Sequence, residues 1–86
     1  MTSGPKLTPE RLNKRLSRIF SSVFPELDAA AAPAATMATV KGWDSMATLA
    51  LFMQCEEDLG IKIGYDRIAE TKSYADLFAL VEALTT

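Results

Sequence analysis

Apolar residues recur at Leu12, Leu16, Ile19, Phe20 and Val23, and Arg11, Lys14, Arg15 and Arg18 line the opposite side. This is the spacing of a helix with one buried stripe. Thr8 suits the N-cap, Pro9 the first helical position, and Leu7 with Leu12 a hydrophobic staple. Pro25 stops the helix near Phe24. Residues 25–42 then read as a long loop punctuated by Pro25, Pro33 and Gly42. Its alanine-rich run 29–35 has no period and admits one short helical turn before Pro33. Leu27, Met37 and Val40 are expected to pin the loop to the core. Loops longer than about 12–15 residues are uncommon in compact domains and often functional.

A second helix is predicted from Asp44 or Ser45 to Leu59, with Asp44 as cap and Gly60 as the left-handed residue beyond its end. Thr48, Leu51, Phe52, Cys55 and Leu59 follow the 3,4 spacing of a core face, and Met46, Leu49 and Met53 follow it on another, beside Ala50. An 86-residue chain can hardly bury a helix on every side, so one stripe reads as core and the other as a docking face. Ile61 and Ile63 anchor a connector, Tyr65 to Glu70 forms a brief helix held by Ile68, and Ser73 with Asp76 starts the last helix in a capping-box arrangement. Tyr74, Leu77, Phe78, Val81 and Leu84 make the last buried stripe. No alternating run is long enough for a strand. The expected fold is all-α, a small four-helix bundle of three longer helices and one short, with the long loop between helices 1 and 2. A single domain is placed at 7–85 behind a flexible 1–6 segment.

Composition narrows the chemistry. The chain is 49% hydrophobic and 23% charged, ordinary for a globular domain. No apolar stretch reaches the roughly 20 residues of a membrane helix, so no membrane insertion is expected. The start, Met1-Thr2-Ser3-Gly4-Pro5, has no apolar signal core. With Cys55 alone there is no internal disulfide, which fits a reducing cytoplasm. Cys55 falls on the core stripe and reads as a small buried hydrophobe. The chain has no histidine, which removes Ser–His–Asp and Cys–His catalytic sets and imidazole metal ligands. Glu56 and Asp58 could form an acid pair, but they sit on a helix end without a cleft. The chain is therefore expected to be acted upon and not to be an enzyme, with no metal.

The net charge of −2 divides unevenly, +4 over residues 1–24 and −6 over 25–86. The acidic side suits basic partners, and the basic stripe of the first helix reads as a solvated face. An acidic chain with one basic helix face is not expected to bind nucleic acid.

The informative segment is Gly42-Trp43-Asp44-Ser45-Met46, then Leu49 and Glu56-Glu57-Asp58-Leu59-Gly60-Ile61-Lys62-Ile63. A serine at a helix N-terminus sits beside unpaired amides and the positive end of the dipole. Here the chain resembles the acyl carrier protein family, whose hallmark is Asp-Ser-Leu at the start of the second helix. Met46 replaces the leucine. The acidic cluster and the Ile-x-Ile connector also lie at the family's distances from the serine, and the resemblance spans 7–84. It implies an acyl-carrier-like bundle in which Ser45 carries covalent 4′-phosphopantetheine from coenzyme A, with Asp44 as the adjacent motif acid. The arm's thiol would hold acyl intermediates as thioesters. Implied partners are a phosphopantetheinyl transferase (holo-carrier synthase) and acyl-loading and acyl-transferring enzymes of fatty-acid, polyketide or related biosynthesis. Met46, Leu49 and Met53 would be the apolar contacts and Glu56 and Glu57, with Asp58, the acidic ones. A monomer is expected. Trp43 is read as packing the loop against the bundle.

Carriers of primary fatty-acid synthesis usually bear acids two and five residues after the modified serine; here these are Ala47 and Ala50. The resemblance thus points to a specialised carrier rather than the housekeeping one. A peptidyl or aminoacyl carrier is the alternative, although Gly42-Trp43 lacks the Gly-Gly common before that serine. From another class, the chain could be a helical adaptor without a prosthetic group, using Met46, Leu49 and Met53 as its ridge.

Overall fold

The protein is seen in a computed structural model that describes residues 8–85. The expected Leu7 staple and the 1–6 segment lie outside the described residues. The chain forms α1 (Pro9–Val23), a 3₁₀ helix (Ala29–Ala34), α2 (Ser45–Leu59), a second 3₁₀ helix (Tyr65–Glu70) and α3 (Tyr74–Thr85). It is a small all-α fold, with no strand among the described residues.

α1 begins as its sequence dictates. The Thr8 hydroxyl accepts the Arg11 amide at 3.2 Å, and Pro9 occupies the first turn, where no backbone donor is needed. Leu12, Leu16, Ile19 and Phe20 are buried, while Val23 is half-buried at the end. The loop holds more structure than expected. Instead of one turn ending before Pro33, a 3₁₀ helix runs through that proline, so there are five helical elements and not four. The proline ring fixes φ near the 3₁₀ value, and the tighter helix loses a single internal bond to the missing N–H. Asp28 starts this helix by accepting the Ala30 amide at 3.2 Å.

Beyond it the loop is stitched to the start of α3. The Met37 amide donates to Lys72 O and the Tyr74 amide to Ala35 O, both at 2.9 Å, forming an isolated antiparallel bridge between Thr36 and Ser73. Ser73 Oγ accepts the Asp76 amide at 3.0 Å as expected, but the Asp76 carboxylate returns to the Lys72 amide instead of that of Ser73. Tyr74, Leu77 and Val81 are buried on α3 and Phe78 is half-buried. Leu84, expected in the stripe, is 43% exposed because the last turn of α3 extends beyond the core cluster.

The core closes around Phe20. Its ring lies 5.4 Å from Trp43, 5.0 Å from Tyr74 and 6.1 Å from Phe24, so one side chain of α1 touches the loop, α3 and its own helix end. Such tilted and edge-on aromatic pairs add to plain area burial. Tyr74 keeps its hydroxyl satisfied inside this cluster by donating to Asn13 of α1, and burial pushes its phenol up from the ordinary 10.0. No buried side-chain nitrogen or oxygen among the described residues lacks a partner, as a well-formed interior requires.

Phe20→Ala is expected to cost about 3–5 kcal/mol, a large part of the 5–15 kcal/mol typical of a whole domain. A urea titration followed by Trp43 fluorescence will show the midpoint fall; an unchanged midpoint would remove Phe20 from the centre of the core.

Candidate functional site

Four short-range interactions place Ser45. Gly42 has φ +89°, which a side-chain-bearing residue rarely adopts, and the Trp43 amide donates back to Val40 O at 3.2 Å. This turn aims Trp43 inward, where it is 5% exposed and lies 5.6 Å from Phe24 and 5.4 Å from Phe20. Its indole N–H donates to Thr48 Oγ1 at 2.8 Å, and Thr48 Oγ1 donates to Asp44 O at 3.1 Å. Asp44, in extended conformation, then caps α2 by accepting the Ala47 amide at 2.9 Å. The buried ring and the cap hold the first turn of α2 from both sides.

Ser45 is the first residue of α2 and is exposed; its hydroxyl has no hydrogen bond among the described residues. The amides of Ser45 and Met46 precede the first internal bonds of the helix and point out of its end. At the other end Gly60 takes φ +67° and donates its amide to Glu56 O at 2.9 Å, the expected left-handed stop.

The two apolar stripes of α2 separate cleanly. Thr48, Leu51, Phe52 and Cys55 are buried and Leu59 is half-buried. Met46 is 73% and Met53 55% exposed, with Leu49 half-buried between them. The acidic end of the helix is less uniform than its sequence implies. Glu57 is exposed, but Glu56 turns a carboxylate oxygen onto the Ile63 amide at 2.8 Å and so clamps the connector. Asp58 lies 3.5 Å from Arg15 of α1, an exposed pair of small energetic weight. Glu56 and Asp58 are thus drawn to different partners. Among the described residues no group of three His, Cys, Asp or Glu gathers to hold a metal ion, and no helix is long and apolar enough to cross a membrane.

Cys55 is fully buried behind this face. Burial pushes its thiol from the ordinary 9.0 up to about 12, helped by the nearby charges of Asp58 and Glu56. It holds its proton at any physiological pH and lacks the thiolate that nucleophilic or redox chemistry needs.

Between the end of α1, the 39–42 turn and the first turn of α2 lies an open groove of about 800 Å³. Val23, Phe24, Leu27, Val40 and Met46 supply apolar lining, and Glu26 and Lys41 the charges. Only folding brings residues 23–27 beside 40–47, so no local pattern in the sequence announces the groove.

Comparison of the chain with protein-family models, curated proteins and solved structures gives no match. The functional reading therefore rests on the residues themselves.

Asp44→Ala is expected to cost about 0.5–2 kcal/mol through loss of the cap, read as a lower urea midpoint. Cys55 is expected to resist iodoacetamide at pH 8 until the protein is unfolded. Because its folded pKa is raised, the unfolded chain releases the thiol proton first. Stability should then be unaffected by this group below about 9 and decline from there towards about 12. Rapid alkylation of the native protein would contradict its burial.

Proposed function

We propose that this chain is an acyl carrier protein, a non-catalytic domain whose Ser45 bears 4′-phosphopantetheine. The observation that carries the reading is an exposed, unbonded Ser45 hydroxyl on the first turn of α2. Its companions are the Asp44 cap and the two outward amides of Ser45 and Met46, the polarity a phosphodiester prefers. The motif resemblance supplies the chemical identity of the attached group. The residues fit that group: nothing described competes for the hydroxyl, and the Trp43–Thr48 anchor keeps the turn rigid while its outer side stays open.

Attachment joins Ser45 Oγ to the phosphorus that bears the pantetheine of coenzyme A. The bond to adenosine 3′,5′-bisphosphate breaks, and the transferase takes up the hydroxyl proton. Once bound, the group supplies a terminal thiol that carries acyl cargo as a thioester. The chain's own part is positional. The turn at Gly42 displays Ser45, the buried face of α2 fixes its direction, and the outer face meets partner enzymes. Met46, Leu49 and Met53 offer adaptable apolar contact there, and Glu57 leaves a free acid for basic docking patches. The neutral Ala47 and Ala50 favour a dedicated carrier of a specialised pathway over the housekeeping one.

A second reading, a helical adaptor without prosthetic group, draws on the exposure of Met46 and Met53. One measurement separates the two. Incubation with a broad phosphopantetheinyl transferase and coenzyme A is expected to add about 340 Da to the intact protein, and Ser45→Ala to abolish the gain. An unchanged mass with several such transferases would leave the adaptor standing.

A further inference from the structure

We propose that the groove beside Ser45 is the resting site of the arm that Ser45 carries, so that the chain cradles its own prosthetic group between the end of α1 and the 39–42 turn. The proposal rests on the carrier reading and goes beyond it, because attachment at an exposed hydroxyl does not by itself require any docked position.

Three features commit the groove to this occupant. The first is reach. Ser45 does not itself line the groove but is the chain neighbour of Met46, which does, together with Ala47 and Gly42, so a long flexible arm on its hydroxyl can reach the lining. The second is charge. Lys41 is the one cationic residue lining the groove; it is exposed and has no ion pair among the described residues. A phosphodiester on Ser45 would find positive partners in this ammonium and in the free amides of the α2 first turn. The third is the match along the arm's length. Past the phosphate, pantetheine carries a gem-dimethyl carbon and then a hydroxyl and two amides. Val40, Leu27 and Met46 offer apolar surface for the methyl groups, and the Glu26 carboxylate can accept a hydroxyl or amide N–H. At about 800 Å³, the groove falls within the range of small-molecule sites, about 300–1,000 Å³.

The basic stripe of α1 is a poorer candidate for the arm. It lies on the solvated side of that helix, and Arg15 already pairs with Asp58.

The test uses the full chain, modified with coenzyme A by a broad transferase and checked by intact mass, then examined by methyl NMR. Nuclear Overhauser contacts are expected from the arm's gem-dimethyl protons to the methyls of Val40, Leu27 and Met46. The modified Lys41→Ala and Val40→Thr proteins should show these contacts weakened. A full mass gain without such contacts overturns the docked arm and leaves the carrier reading intact. No mass gain overturns both. Shifts of the same methyls that follow protein concentration and not modification would assign the groove to a second copy, against the proposal.

Discussion

The arrangement of this protein depends on burying one indole. Trp43 is the last residue before the α2 cap, and its ring is packed against Phe20 of α1 and Phe24 just beyond that helix. An aromatic side chain of this size brings a large hydrophobic gain but also an N–H that must be satisfied. Thr48, one turn into α2, meets that requirement and in turn donates to the backbone of Asp44. The same interaction therefore ends the loop, seats α2 against α1, and leaves Asp44 and Ser45 as the first residues to emerge from the core.

Around this anchor the structure divides into a fixed side and an open side. On the fixed side Phe20 couples α1 to α3 through Tyr74, and the Thr36–Ser73 bridge ties the loop to the start of α3. On the open side lie Ser45, the Met46–Leu49–Met53 face and the groove that Lys41 helps to line. The proposed carrier role would use this division, with the attachment point held in place and the surface near it accessible. Glu56 shows how economical such a small domain is, since an acid that reads as a docking charge also clamps the connector through the Ile63 amide.

Much of the fold was legible in the sequence because its signals are local. Thr8 and Pro9, Asp44, Gly60 and Ser73 mark helix ends through the chemistry of unpaired backbone groups, and each acts within four residues of its own position. The burial of Leu12, Leu16, Ile19 and Phe20, and of Leu51, Phe52 and Cys55, follows from helical periodicity in the same way. The exposed Ser45 at the helix start was legible for the same reason.

What the tertiary structure alone decided involves residues far apart in the chain. The Glu56 clamp, the Arg15–Asp58 pair, the Tyr74–Asn13 bond and the groove joining residues 23–27 to 40–47 depend on how elements meet, and no periodicity encodes that meeting. The 3₁₀ helix through Pro33 and the exposed Leu84 differ from expectation on the same ground, since packing partners determine whether a weakly biased segment coils and whether a stripe stays covered to its last turn. The sequence by itself determined where helices begin, end and turn their apolar faces, because those preferences act over a few residues; the placement of distant side chains against one another needed the packed chain.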